Sequence, residues 1–367
     1  MSLQDEIVKK SSQIFRDSYQ MSIGELINLY RDEEMDIHPE FQRLFRWSEL
    51  QKNKLIESIM LNIPIPPIFV SQSDDGVWDI IDGVQRLSTI FQFVGLLKDE
   101  GGNKISPLVL QTTDYLPSFA GMTWENVDKA LCFTKEQQLY FKRSRLDITI
   151  MKKESDPNTK YELFQRLNTG GTLLSDQEVR NCLMIMANKD FYEFVNLLEK
   201  NTTYQKTIPI SDRKSDEQYR MELVLRLLVA FEIDWGKIGK YNELSELLDK
   251  EVLKICNLEN YDTLHNKNRF EKTFNLLYGV LGEDVFKKYN GQKYSGPFLN
   301  SAYQVISSGV YHNLDEILKL KNYSDWISQK VNDMYGEEIF IKNTAPGARA
   351  IPRYKDLTLF GMEYFRP

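Results

Sequence analysis

The chain has 367 residues, 42% hydrophobic and 27% charged, with 46 lysines and arginines against 53 aspartates and glutamates for a net charge of −7. Those proportions exclude disorder, collagen and coiled-coil rods, and they allow one large or two ordinary domains with a sizeable core. The acidic balance argues against strong non-specific duplex binding, which depends on neutralising phosphates, but leaves room for a local basic pocket.

No run reaches the roughly 18–20 consecutive apolar residues of a membrane span. The nearest, residues 223–231, carries Arg226. Asp5, Glu6, Lys9 and Lys10 leave no apolar signal segment at the N-terminus. Cys132, Cys182 and Cys256 are odd in number and far apart, so they form neither a disulfide framework nor a C-x-x-C metal pair. The expected setting is reduced and cytoplasmic, with no membrane partner.

In chain order, Ser22 with Glu25 marks a capping box, and Ile23, Leu26, Ile27 and Tyr30 recur at helical spacing over residues 22–30. An extended stretch through Pro39 leads to residues 41–47, where Arg43 and Arg46 lie among Phe41, Phe45 and Trp47. Ser48 starts a second helix, with Leu55, Ile56, Ile59 and Met60 on one face, which must end before Pro64. Residues 67–72 and 77–81 read as strands joined by Asp75-Gly76, a hairpin signal. Residues 84–97 read as an amphipathic helix, 145–151 as a strand and 159–167 as a helix. From residue 175 to about 335 the pattern is helical throughout, opened by a capping box from Ser175 to Glu178. The small and polar residues of 202–212 read as a connector, and the division is placed at 1–200 and 201–367.

Three segments can carry chemistry. Asp82-Gly83-Val84-Gln85-Arg86 sits between a strand and a helix, where free amides and a partial positive charge attract phosphate. Gly83 allows a tight turn, and Arg86 can fork onto an oxyanion. An Asp N-cap, a Gly turn and a solvated arginine is the plainer reading of the same residues, and both stay open. Gln42-Arg43 with its aromatic neighbours suits a base or a phosphate, or is the edge of a core. Asn168-Thr169-Gly170-Gly171 is a loop able to surround an anion or base, or a simple helix end. His38, His265 and His312 are scattered, so a His/Cys metal cluster is not expected, and no Ser-His-Asp or G-x-S-x-G signal is present.

Taken in order, Ser22-Ile23-Gly24-Glu25-Leu26, Pro39 to Arg43, Trp47, Leu55 to Ile59, Pro64-Ile65-Pro66, Ile81 to Thr89, Phe164 to Gly171 and Leu174 to Arg180 resemble the DGQQR-motif domain. This is domain-of-unknown-function family 262, found in the N-terminal part of GmrSD-type modification-dependent restriction proteins. The resemblance implies an α+β fold with a ParB/sulfiredoxin-like core and a small mixed sheet, followed by an all-α domain. It implies nucleoside triphosphate binding and hydrolysis with Mg²⁺ in bacterial defence against phage. By position, Asp82, Gln85 and Arg86 fall on the motif as catalytic residues. Gln42, Arg43, Gly83, Arg86, Asn168 and Thr169 fall on it as nucleotide or phosphate ligands. Val84 stands where the family has its first glutamine, which leaves binding but puts hydrolysis in question. A histidine-containing nuclease domain has no counterpart here, so cutting is expected from a separate nuclease chain. The alternative is a non-catalytic module that binds DNA or reads a DNA modification with the same pocket. A scaffold that binds nothing and regulates a nuclease is the third reading.

Overall fold

The computed structural model describes residues 2–6, 16–37, 47–73, 75–99, 102–152 and 175–367. They fall into two compact units, Met1–Leu173 and Leu174–Pro367.

In the first unit, β1 (Arg16–Ser22), α1 (Ile23–Arg31), β2 (Met35–Asp36), α2 (Glu49–Met60), β3 (Ile68–Gln72), β4 (Trp78–Asp82), α3 (Val84–Phe93), α4 (Lys135–Arg143) and β5 (Arg145–Met151) follow one another. The five strands form one sheet in the order β1-β5-β3-β4-β2. The β1/β5 and β3/β4 pairs are antiparallel, whereas β3/β5 and β2/β4 are parallel. The sheet is therefore mixed, as expected. Ile68, Val70, Ile80 and Ile148 from the strands meet Leu26, Ile56, Leu87 and Phe91 from the helices in one buried core.

The caps explain why the helices begin where they do. Ser22 accepts a bond from the amide of Glu25 at the start of α1, so one half of the expected capping box forms. Ser48 and Gln51 make a complete box at α2. The α3 helix stops at Phe93, short of the expected residue 97, because Gly95 turns the chain out at φ +73°. Strands β1 and β2 and helix α4 stand outside the sequence expectation. The helix expected over 159–167 lies outside the described residues.

The second unit holds α5 (Asp176–Ala187), α6 (Lys189–Glu199), α7 (Thr202–Thr207), α8 (Asp212–Asp216), α9 (Tyr219–Glu232), α10 (Leu244–Cys256) and α11 (Thr263–Leu281). A two-stranded ribbon of β6 (Lys288–Tyr289) and β7 (Tyr294–Ser295) leads to α12 (Asn300–Ile317), α13 (Tyr323–Asp333), α14 (Glu338–Thr344) and α15 (Ala350–Tyr364). The helical character expected from residue 175 onward is thus present, with the ribbon as an addition. Ser175 and Glu178 form the expected reciprocal box at α5. The expected division after residue 200 and the contact division after 173 differ because α5 packs on α6 and α10 within the second unit.

Residues 202–212 are a correction to the sequence reading. Instead of a connector they include α7, whose Tyr204 is fully buried and donates its hydroxyl to the carbonyl of Arg220 at 2.6 Å. Helix α15 packs along α12. That approach is close because both helices carry glycine at the crossing. A Cβ at Gly309 would sit 2.5 Å from the carbonyl oxygen of Gly361, and one at Gly361 would sit 2.8 Å from Ser308 Oγ.

A buried ion pair crosses this unit. Arg180 of α5 has no solvent exposure, and its Nε donates to Asp249 Oδ1 of α10 at 2.8 Å. Its other nitrogens donate to Gln177 Oε1 at 2.5 Å and Ser245 Oγ at 3.3 Å. No helix among the described residues is long and apolar enough to cross a membrane.

Several weak acids here hold their protons tightly. Burial pushes the Cys256 thiol up to about 12, and burial with neighbouring negative groups does the same for Tyr294 and Tyr364. A folded-state value raised above the unfolded one contributes stability below the unfolded value and loses it as pH rises. The ordinary values are 9.0 for the thiol and 10.0 for the phenols, so the melting temperature should fall steadily from there to about pH 12. Thermal melts across that range, followed with tyrosinate absorbance, check this; a flat profile would contradict it.

Candidate functional site

The site grows out of the turn between β4 and α3. The strand delivers Asp82 at its end, and Gly83 turns the chain at φ +105° in the left-handed region. Only glycine adopts that region without steric cost. Space demands glycine as well: a Cβ there would drive into Ile68 Cδ1, with Ile68 Cγ2 at 3.3 Å and Arg86 Nη2 at 3.4 Å. Because the N-cap residue is Gly83, no side chain caps the first amides of α3. These are the groups that an anion can satisfy.

Arg86 lies one turn into α3, and 8% of it is exposed. Its Nη1 donates to the carbonyls of Pro66 at 2.5 Å and Pro67 at 3.2 Å, and its Nη2 to Asp82 Oδ2 at 2.7 Å. The guanidinium therefore fastens the entry to β3 onto the β4–α3 turn. It is not solvated, and Asp82 is not the N-cap, so the plainer sequence reading does not describe this corner. The Asp82 side chain keeps 42% of its surface, which leaves the carboxylate open to solvent beside the bare helix end.

Gln85 brings in the upstream motif. Its Oε1 accepts the backbone N–H of Trp47 at 3.3 Å. Trp47 is thereby tied to the first turn of α3. Gln42 and Arg43, and Asn168 and Thr169 in the later loop, lie outside the described residues. Of the expected site residues, Asp82, Gly83, Gln85 and Arg86 stand together at one corner.

Sequence reasoning missed the carbonyls of Pro66 and Pro67 and the packing role of Ile68. The run Pro64-Ile65-Pro66-Pro67 held the signal: proline has no N–H, so the segment makes few backbone bonds and its carbonyls need an outside donor.

Helix α2 anchors the loop that follows α3. Buried Glu57 accepts the amides of Tyr115 and Leu116 at 3.2 Å each, and Asn53 Oδ1 accepts that of Gln111 at 2.7 Å. Among the described residues no group of three or more His, Cys, Asp or Glu is placed to hold a metal ion. An ion of the Mg²⁺ type needs no such cage, since it is commonly held by one or two carboxylates and the substrate phosphates. Asp82 fits that limited role.

No curated protein and no solved structure matches the chain. Residues 23–185, from the first residue of α1 into α5, match the family described as GmrSD restriction endonuclease, N-terminal domain.

Proposed function

We propose that the β4–α3 corner binds the phosphates of a nucleoside triphosphate and hydrolyses it within a restriction system, with DNA cleavage left to a separate nuclease chain. The observation that carries this reading is the glycine-capped, side-chain-free start of α3 beside the open carboxylate of Asp82. The GmrSD-type domain supports it, and a ParB/sulfiredoxin-like core is the fold reading that accompanies it.

In this reading the amides after Gly83 hold a phosphate, and Gln42 and Arg43 are further ligands to it. Asn168 and Thr169 read the nucleotide from the later loop. Arg86 is a positioning residue: its charge is matched by Asp82, and its donors hold the turn in shape. Mg²⁺ would supply charge neutralisation on the phosphates, with Asp82 as its protein ligand.

The test is thermal shift and phosphate release with ATP, GTP, CTP and UTP plus Mg²⁺, on the wild type and on Asp82→Asn. A nucleotide present at 100 times its Kd should add about 2.7 kcal/mol of stability. Asp82→Asn should keep the fold and lose at least about tenfold in turnover, or about 1.4 kcal/mol of transition-state stabilisation. If no nucleotide shifts the wild-type melt, the reading fails.

Val84 and the interior commitment of Arg86 favour a second reading, a module that reads modified DNA at the same corner. It predicts salt-dependent DNA affinity that Arg43→Ala weakens, without phosphate release.

A further inference from the structure

The second unit contains a cavity of about 180 Å³ far in sequence from the DGVQR corner. Its described lining includes two arginines, Arg226 and Arg353, and no carboxylate. Three helices begin at its wall: Leu244 is the first residue of α10, Asn300 and Ser301 open α12, and Ala350 opens α15. None of the three N-cap residues, Glu243, Leu299 and Arg349, bonds a first-turn amide with its side chain. Positive partial charge from three helix N-termini, set against the single C-terminus of α14 at Thr344, therefore gathers where two guanidinium groups already stand. Arg226 is part-neutralised by Glu222, whose Oε1 accepts from Nη2 at 2.5 Å. Arg353 pairs with no carboxylate among the described residues.

Buried polar atoms without partners collect at the same place. Six such atoms occur among the described residues, and three of them, Arg226 Nε, Asn300 Oδ1 and Gln304 Oε1, belong to residues that line this cavity. Native interiors rarely leave such groups unmatched unless a water or ligand serves them. Gln304 is 4% exposed, and its amide orientation is fixed. Nε2 donates to Thr358 Oγ1 at 2.6 Å, while that hydroxyl spends its own proton on the Tyr354 carbonyl at 2.7 Å. The carbonyl end of Gln304 thus needs a donor, while Arg226 and Arg353 call for an anion.

One small ligand meets both needs. We infer that the cavity binds a phosphate group, as inorganic phosphate or as the head of a small phosphomonoester. Its unprotonated oxygens face Arg226, Arg353 and the helix ends, and its single P–O–H donates to the amide carbonyl of Gln304, leaving that of Asn300 to a water carried in with it. That volume accommodates a phosphate with a few waters.

Titration calorimetry of the full chain with inorganic phosphate tests this, with sulfate and a nucleoside monophosphate as parallel arms. Saturable phosphate binding is expected, with sulfate at least tenfold weaker because it carries no O–H near neutral pH. Arg353→Gln should weaken phosphate at least tenfold. Ser301→Asp places a carboxylate in the first turn of α12, where the helix dipole favours it, so it should fold normally and lose phosphate binding. Tighter binding of the monophosphate than of inorganic phosphate would identify a phosphomonoester as the occupant. Absence of saturable phosphate binding, or binding unchanged in both variants, overturns the site. Equal binding of sulfate overturns the donor role of the P–O–H. Asp82→Asn should leave this binding intact, which separates it from the nucleotide corner.

Discussion

Arg180→Met is expected to destabilise the second unit by about 3–5 kcal/mol, because it strips one partner from a buried ion pair and takes the guanidinium counter-charge away from Asp249 in the interior. Asp249 is 2% exposed, so water cannot take over the role of the guanidinium. Gln177 and Ser245 lose a bonding partner in the same step. Urea unfolding monitored by circular dichroism checks the prediction. The double variant Arg180→Met with Asp249→Leu should recover much of the loss, since a buried pair is often replaceable by apolar side chains of similar volume. A single-variant cost under about 1 kcal/mol would mean that the pair is not what fastens α5 to α10.

Gly83→Ala should cost about 2–5 kcal/mol, combining backbone strain at a positive φ with overpacking against Ile68. An internal control is available at Gly76, which also has a positive φ, of +91°, but has nothing within 4 Å of an added Cβ. Gly76→Ala carries the strain alone and should cost only about 1–2 kcal/mol. Denaturation midpoints of the two variants separate the terms. Since a methyl at residue 83 also displaces the turn held by Arg86, Gly83→Ala should abolish nucleotide-induced stabilisation, whereas Gly76→Ala should leave it unchanged.

The legible parts of the fold were those whose signals are local. The Ser175–Glu178 box, the Asp75-Gly76 hairpin and the apolar faces of α1 and α2 each need only a few neighbouring residues, and each is present. Strand β1 was illegible because its residues Arg16 to Gln20 are exposed, so no burial alternation marks them; pairing with β5 alone makes them a strand. Helix α4 buries only Phe141 and so shows no apolar stripe. Polar composition hid α7, where the single aromatic ring of Tyr204 anchors the segment in the core. At the site, Asp82, Gly83, Gln85 and Arg86 could be picked out by motif. The direction of Arg86 could not, because it depends on carbonyls at residues 66 and 67, twenty and nineteen positions upstream.

The glycine crossing of α12 and α15 also sets an order of events during synthesis. Domains fold largely as units as the chain emerges, and the described strands of the first unit are complete by Met151. The second unit must wait: the face of α12 that receives Gly361 and the fully buried Phe365 stays uncovered until those residues leave the ribosome. For that interval a long apolar helix is exposed on a nascent chain whose first half can already be folded. Chaperone dependence and aggregation on truncation should therefore concentrate in this half of the protein.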